Sequence, residues 1–287
     1  DDFGRLVERW RVLEDGQRAD VARFEWNGWG QLSCVVAPNG TRTEFTYDAF
    51  ARRLGKRVVA GKKVLSHRHY VWDLTAVVHE VEVKAGARDT LHTFVYEDEK
   101  HIEPIAQRHG DEWAYHVGDV NGAPLELVDE RGQLLAEFER GLFGKLATKR
   151  GGPGTPIRFS DQWADEETGL HYNRYRHYDP ESGRYISPDP VGLYGGLELY
   201  AYGPNPVAWI DPMGWATTHF LRVTGFDPAG ARHSASGAGT RPVDYDSCLN
   251  ASSCPRVLSH PSGHLGHSEQ TFCYDLLASG ETGGTYR

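Results

Sequence analysis

The sequence predicts an all-β protein in which β-hairpins follow one another along a ribbon, with a small α+β portion at the end. The 287 residues include 33 glycines, 15 prolines, 8 tryptophans and 14 tyrosines but a single methionine. Turn-dense sheets use glycine and proline at their corners and aromatic rings on their faces, whereas helix-rich proteins seldom have this composition. From residue 20 to about residue 135, short aromatic or β-branched runs alternate with turn residues, as successive strands do.

Charge and hydropathy argue against two classes of protein. The chain has 31 Lys and Arg against 40 Asp and Glu, and this net charge of −9 disfavours a broad nucleic-acid-binding surface. No stretch approaches the roughly 20 apolar residues that span a bilayer, so no transmembrane segment is expected. The first residues lack an initiating Met and an apolar signal core, so we expect an excised fragment.

The first hairpins show the pattern most clearly. Asn-Gly pairs separate the apolar runs, and they supply the positive φ values that tight hairpins need. Further along, an aromatic residue recurs shortly before an acid at intervals of about twenty residues, which favours stacked hairpins over isolated cross-strand pairs. The four cases are Tyr47-Asp48, Trp72-Asp73, Tyr96-Glu97 and Tyr115 before Asp119.

The middle of the chain contains a strand with polar residues on both faces. Turn signals at 166–169 and 180–183 bound the run 170–178, whose residues alternate between two faces. One face has His171, Asn173, Tyr175 and His177, and the other has Tyr172, Arg174 and Arg176. Such a strand is costly at a free edge but suits a layer between neighbours, where aromatic rings and guanidinium groups stack. The glycine-rich segment 143–156 before it is predicted to be an exposed linker.

Two DPxG tetrads begin at Asp189 and Asp211 and are separated by 18 residues. Asp-Pro by itself is a common way to open a turn. If the intervening segment folds back around Asn205-Pro206, the two aspartates come close together, and like charges that share a site split their pKa values. One protonated and one ionised carboxyl group form an acid/base dyad that can activate water and protonate a leaving amine. Alternatively, both carboxylates bond to backbone amides and are inert.

Several segments resemble the Rhs (rearrangement hot spot) family. FTYDAFARRL at 45–54 and YHVGDVNGAPLELVDERGQLLAEF at 115–138 resemble its YD repeats, and residues 158–215 resemble the end of its core. In that family a long β-sheet ribbon of YD repeats winds into a hollow shell that encloses a C-terminal toxin. The resemblance therefore implies that 1–157 is shell, 158–215 is a plug with a self-cleavage region, and 216–287 is the first part of a variable toxin domain.

The resemblance also implies a self-cleaving aspartyl centre that needs no cofactor. Its dyad would be Asp189 and Asp211, and the cut would fall between Trp215 and Ala216. The family more often has Leu where this chain has Trp215, and both side chains are bulky and apolar. Arg184, five residues before Asp189, is expected either to support a carboxylate or the peptide oxygen, or to be an ordinary surface arginine.

In the tail, a short helix is predicted to begin near His267 or Ser268, with Glu269 in its first turn. An HxE sequence at a helix start resembles half of the site of zinc-dependent nucleobase deaminases. There the residue matching His267 binds zinc, the residue matching Glu269 is the general acid/base, and a later PCxxC completes the site. No CxxC follows before Arg287, so this chain would be inactive on bases.

Other interpretations of the tail remain open. It could hold a structural zinc site, a small disulfide loop, a nuclease or an ADP-ribosyltransferase. The residues concerned are His260, His264 and His267 with Cys248 and Cys254 for zinc, Cys248 with Cys254 for the disulfide, and Arg222, Ser236 and Glu269 for the transferase.

The resemblance implies a protein that is secreted and delivered into a target cell in competition between bacteria. Its implied partners are its own C-terminal toxin peptide, a cognate immunity protein and the spike or adaptor of a secretion apparatus such as type VI. Nucleic acid or nucleotide would be a partner only of a deaminase tail. A non-catalytic YD-repeat module with a structural or adhesive role is the alternative from another class.

Overall fold

The structure is a computed structural model that describes residues 1–97, 103–119, 122–203, 205–206, 209–211, 213–215, 218–226 and 232–239. The chain divides into two compact units, one of Asp1–Tyr202 with Asp211–Ala216 and one of Gly203–Ile210 with Thr217–Arg287. The described residues form twenty β-strands and one 3-10 helix, Gly192–Gly195, which confirms the all-β prediction. None of the helices in the described residues is long and apolar enough to cross a membrane.

The first unit is built on an antiparallel sheet of thirteen strands, here called the meander, in which every strand pairs with the next one along the chain. This confirms the predicted ladder of hairpins. The strands are β1 Glu8–Val12, β2 Arg18–Trp26, β3 Leu32–Val36, β4 Arg42–Tyr47, β5 Arg53–Ala60, β6 Lys63–Asp73, β7 Ala76–Lys84, β8 Thr90–Val95, β9 Ala106–His109, β10 Glu112–Gly118, β11 Pro124–Val128, β12 Leu134–Arg140 and β13 Leu146–Arg150.

The hairpin loops differ from the tight Asn-Gly turns that the sequence predicts. In the loop 27–31 the first N–H donates to the fifth carbonyl, and the residue with positive φ is Gly30 at +75° and not Gly28. The same arrangement recurs at 13–17, 37–41, 48–52, 129–133 and 141–145. These are longer loops closed by one left-handed residue, a form that matches the twist of the flanking strands. The Asn or Asp that opens several of them accepts backbone N–H groups within the loop.

The recurrent aromatic residue has a structural role at the end of a strand. Its N–H or O–H group donates to a backbone carbonyl near the start of the preceding strand, so the bond joins the two strands of one hairpin at the end away from its loop. The pairs are Trp26 with Leu6, Tyr47 with Leu32, Trp72 with Arg53 and Tyr96 with Val77, at 2.8 to 3.0 Å. Three of the four predicted cases, Tyr47, Trp72 and Tyr96, thus share this hydrogen bond with Trp26, whereas Tyr115 is 40% exposed and is not among them.

The prediction of an exposed linker at 143–156 is partly wrong. Its middle forms β13, which pairs with β12, because Lys149 donates to Glu137 at 2.6 Å and the backbone completes the ladder. Phe143, Lys145 and the glycine-rich stretch 151–154 are exposed and belong to no strand.

A second antiparallel sheet, here called the plug sheet, consists of β14 Trp163–Asp165, β15 Leu170–Asn173, β16 Arg176–Asp179 and β17 Arg184–Tyr185. The prediction of one strand over 170–178 is wrong, since Arg174 and Tyr175 form a turn between β15 and β16. Arg174 has a left-handed φ of +45°, which its sequence does not suggest. Its guanidinium donates to the Phe50 carbonyl at 3.1 Å and lies 5.0 Å from the Trp72 ring, so contacts with the meander stabilise the turn.

The plug sheet is a buried layer against the meander, as the sequence predicts. Leu170 packs into one cluster with Phe24 and Phe45, and Trp163 packs with Phe94 in another. The Trp163 and Phe94 rings meet edge to face at 4.7 Å. These contacts explain why a strand with so many polar residues folds inside the protein: its apolar rings pack on the meander, and its polar groups find partners there.

Four charged residues join the two sheets in the interior. Asp165 accepts Arg53 at 2.6 Å and Lys56 at 2.9 Å, and Lys56 also reaches Glu167 at 2.8 Å. Burial acts to raise the pKa of Asp165, but the charges of Arg53 and Lys56 outweigh it and hold that pKa well below its usual range. The side chains of Arg53, Lys56 and Asp165 are at most 2% exposed, so each charge depends on the others.

The described part of the second unit is a three-stranded antiparallel sheet of β18 Trp209–Ile210, β19 Thr218–Phe226 and β20 Arg232–Gly239. The backbone of Arg222 pairs with that of Ser236. The other tail residues that the sequence singles out lie outside the described residues, namely Cys248, Cys254, His260, His264, His267 and Glu269. The described residues contain no group of three or more His, Cys, Asp or Glu placed to hold a metal ion.

Replacing Asp165 with Asn should destabilise the protein by about 3–5 kcal/mol, because it leaves Arg53 and Lys56 buried without their shared carboxylate. Urea unfolding followed by tryptophan fluorescence measures this. Glu8→Gln is the matched control, since Glu8 pairs with Arg23 at the surface and its loss should change stability by less than about 1 kcal/mol. Equal effects of the two changes would contradict the role assigned to the buried cluster.

Candidate active site

Asp189 and Asp211 meet at one guanidinium nitrogen. Nη2 of Arg176 lies 3.1 Å from Oδ2 of Asp189 and 2.7 Å from Oδ2 of Asp211. The three side chains are 1%, 7% and 0% exposed, respectively. Two carboxylates and one guanidinium in the interior leave an excess negative charge, which favours a proton on one of the carboxyl groups.

The plug sheet places Arg176. It is the first residue of β16, directly after the turn, and its backbone pairs with that of Asn173. Its guanidinium lies 3.7 Å from the centre of the Tyr185 ring, and its Nη1 donates to the Leu199 carbonyl at 3.2 Å. The group is thus fixed on one face by an aromatic ring and along its edges by acceptors.

Asp211 is surrounded by donors. Its Oδ2 accepts both Arg176 and the Tyr185 hydroxyl, the latter at 3.0 Å, and its Oδ1 accepts the Trp215 N–H at 3.0 Å. Burial, followed by the charge of Asp211, holds the pKa of Tyr185 well above its usual range, so that hydroxyl keeps its proton and donates. Three donors on two oxygens suit an ionised carboxylate.

Asp189 has a different environment. It opens the turn before the 3-10 helix, and its Oδ1 accepts the Val191 N–H at 2.9 Å. Burial raises the pKa of Asp189; the Val191 N–H and the charge of Arg176 act to lower it, and the charge of Asp211 raises it. The net effect is a raised pKa, in part because the two carboxylates lie close enough to repel each other.

The backbone that follows Asp211 is bound to the same groups. Nε of Arg176 donates to the Gly214 carbonyl, and Nδ2 of Asn173 donates to the Asp211 carbonyl at 2.7 Å. Gly214 has a φ of +65°, and a Cβ atom there would lie 2.5 Å from the Asn173 carbonyl oxygen. Only glycine allows this approach, so the second tetrad ends in a glycine for a steric reason.

Trp215 is bound through both its backbone and its ring. Its N–H donates to Asp211, and its ring stacks on that of Tyr175 with centres 4.8 Å apart and planes 10° from parallel. Ala216, on the other side of the predicted cut, lies outside the described residues. The site therefore contains two coupled carboxylates, a guanidinium that bridges them and a bound peptide that leads to Trp215.

Arg184 lies elsewhere. It is exposed, and its guanidinium lies 5.7 Å from the centre of the Tyr200 ring. This placement corresponds to the second alternative given for it, an ordinary surface arginine. The cation that bridges the carboxylates is Arg176, which sequence reasoning noted only as one member of a polar strand. A signal was present, because an arginine in a strand predicted to be buried on both faces needs a buried acid as its partner.

Comparison with known proteins identifies the fold. The family model described as "Teneurin YD-shell" matches residues 13–198. A Photorhabdus luminescens Tc holotoxin pore with a TccC3 mutation has a TM-score of 0.56 at 24% identity, over 71% of this chain and 10% of that one. At that identity the likeness shows the fold.

Two relatives have higher identity. The "Probable deoxyribonuclease RhsA" of Dickeya dadantii (strain 3937) is 35% identical over 220 residues, which are 75% of this chain and 15% of the relative. The "Double-stranded DNA deaminase toxin A" of Burkholderia cenocepacia (strain H111) is 34% identical over 253 residues, 77% of this chain and 17% of the relative. The chain thus spans less than a fifth of the length of either. It belongs to the YD-shell family of Rhs-type toxins.

Proposed function

We propose that the chain cuts itself once between Trp215 and Ala216, with Asp189 and Asp211 as the acid/base dyad. The observation that carries the proposal is that both carboxylates contact one buried nitrogen of Arg176 beside the peptide that leads to Trp215. Two inert turn caps would not need to share a cation in the interior. The reaction is hydrolysis of one peptide bond, and one turnover per molecule suffices.

The different environments of the two carboxyl groups suggest their roles. Asp189, whose pKa is raised, carries the proton, and Asp211, which accepts three hydrogen bonds, is ionised. In the cut, a carboxylate takes a proton from water as the water oxygen bonds to the Trp215 carbonyl carbon. The protonated carboxyl group gives its proton to the Ala216 nitrogen as the C–N bond breaks, leaving a carboxyl terminus on Trp215 and an amine on Ala216.

Arg176 positions the substrate peptide as well as the acids. Its Nε donates to the Gly214 carbonyl while its Nη2 contacts both carboxylates. A peptide bound at the residue before the cut is already oriented, and orientation of this kind removes much of the entropic part of a barrier. Because the substrate is part of the chain, no separate binding step is needed.

In the wider protein, residues 1–157 would be shell wall, 158–215 the plug with the cutting site, and 216–287 the start of the toxin. The cut would free the toxin covalently while the shell still encloses it. We propose, further, that the protein is secreted, that a secretion spike or adaptor of type VI kind delivers it, and that a cognate immunity protein protects the producing cell.

The tail is proposed to be the first part of a zinc-dependent DNA deaminase, with His267 as a metal ligand and Glu269 as the general acid/base. The sequence HxE supports this, as does the name of the Burkholderia cenocepacia relative. A nuclease is the second candidate, supported by the name of the Dickeya dadantii relative.

Asp189→Asn and Asp211→Asn should each slow self-cleavage by at least about 100-fold, the usual loss when a general acid or base is removed. On a denaturing gel the wild-type chain should run as 1–215 and 216–287, and each variant as one band. Asp129→Asn is the matched control, because Asp129 also opens a loop by accepting backbone N–H groups, remote in sequence from the plug. Wild-type chains that stay whole would contradict the proposal.

The cleavage rate should fall as the pH rises into the alkaline range. The reason is that the dyad then loses the proton that the raised pKa of Asp189 retains. Uncut chain collected in urea and diluted into buffers of different pH gives the rate, and tryptophan fluorescence gives the folded fraction. A rate that climbs steadily through alkaline pH while the protein stays folded would contradict a role for the carboxylic acid.

In a longer form of the protein that includes the later PCxxC, His267→Ala should remove bound zinc, measured by metal analysis, whereas His109→Ala, an exposed histidine of the meander, should not. Unchanged zinc content in the first variant would contradict the deaminase assignment. Breakage of DNA without conversion of bases by that longer protein would favour the nuclease.

A further inference from the structure

The turn between β15 and β16 touches the residue that precedes the proposed cut. The Tyr175 ring lies almost parallel to that of Trp215, 4.8 Å away centre to centre. The Tyr175 N–H donates to the Met213 carbonyl at 3.1 Å, so the same residue binds the backbone of the second tetrad. Among the described residues, the Tyr175 ring contacts the Trp215 ring and the Arg174 guanidinium.

Contacts of Arg174 with the meander fix the turn. Arg174 donates to the Phe50 carbonyl, and its guanidinium lies 5.0 Å from the Trp72 ring and 5.9 Å from the Tyr175 ring. Arg174 also has a left-handed φ, which is unfavourable for a residue with a Cβ atom and must be stabilised by surrounding contacts. Contacts between this turn and the meander therefore hold the Tyr175 ring in place.

The Trp215 ring depends on the Tyr175 ring for its position. It is 39% exposed, and its neighbour Gly214 is pressed against the Asn173 carbonyl, which restricts the backbone and leaves the ring on the outer side. Stacked aromatic pairs contribute beyond the area that they bury, and they favour flat partners over branched ones. The stack thus selects the shape of the side chain at position 215.

We infer that Tyr175 determines the specificity for the residue before the cut, acting as a flat platform that accepts Trp, Tyr or Phe at position 215 in preference to aliphatic or polar side chains. The inference rests on the proposed self-cleavage. Tyr175 is a positioning residue in this scheme: it orients Trp215, and through it the adjacent carbonyl group, without contact with the reacting atoms.

A double-variant cycle on the cleavage rate tests the inference. Uncut chains in urea are diluted to start folding, and the cut fraction is followed over time for wild type, Tyr175→Leu, Trp215→Leu and the chain with both changes. Each single variant should cut about three- to tenfold more slowly, as the loss of one aromatic pair predicts. The double variant should be no slower than the slower single one, because the two changes remove the same stack.

Three controls accompany the cycle. Tyr175→Phe and Trp215→Phe keep a flat ring and should cut within about twofold of wild type. Tyr115→Leu removes from the meander a tyrosine about as exposed as Trp215, 40% against 39%, and should have no effect. The shape of the pH dependence should be the same in Tyr175→Leu as in wild type, because the dyad itself is intact.

The outcomes are distinguishable. A wild-type chain that stays whole contradicts the proposed function and the inference together. A wild-type chain that is cut, with Tyr175→Leu and Trp215→Leu equally fast, overturns the inference alone, as does a double variant slowed by the product of the two single effects. If Tyr175→Leu does not fold, the Trp215 series decides: Phe faster than Leu supports the platform, and equal rates overturn it.

Discussion

The guanidinium of Arg176 is the contact on which the site depends. It bridges Asp189 and Asp211, donates to the Gly214 carbonyl and is covered by the Tyr185 ring. A buried guanidinium is stable only with acids beside it, and two buried carboxylates are stable only with a cation between them. Each of the three groups therefore requires the other two, so the two DPxG tetrads cannot act as independent turns.

The meander stabilises that arrangement in the interior by burying the plug sheet. Arg53 and Lys56 of β5 bind Asp165 of β14, and Arg174 crosses to the Phe50 carbonyl. These contacts have one common effect: they define where the turn before Arg176 lies. Packing of the two sheets thus sets the position of the Arg176 side chain, which its neighbours in sequence do not determine. The chemistry proposed for the site depends on that packing.

This division explains what could be predicted from sequence. The hairpin ladder and the aromatic repeat are local, since each depends on two neighbouring strands, the loop between them and one hydrogen bond across that hairpin, and both are visible as patterns. The duplicated tetrads are visible too. The turn at Arg174 was missed because a left-handed arginine goes against local preference and is stabilised by Phe50 and Trp72, more than a hundred residues away in sequence. Arg176 was missed as the bridging cation for the same reason, whereas Arg184 is nearer to Asp189 in the chain but faces outward.

The contacts of the second tetrad determine the state of the site after a cut at the proposed bond. Gly214 binds Arg176, and Trp215 binds Asp211 and stacks on Tyr175, all on the N-terminal side of that bond. None of these contacts requires residue 216, so hydrolysis there would leave them in place. The new carboxyl terminus of Trp215 would then stay beside the dyad and add a negative charge to it, which would hinder any second substrate from entering. A site arranged in this way suits a single turnover: it separates the tail covalently and leaves the plug sheet bound to the meander.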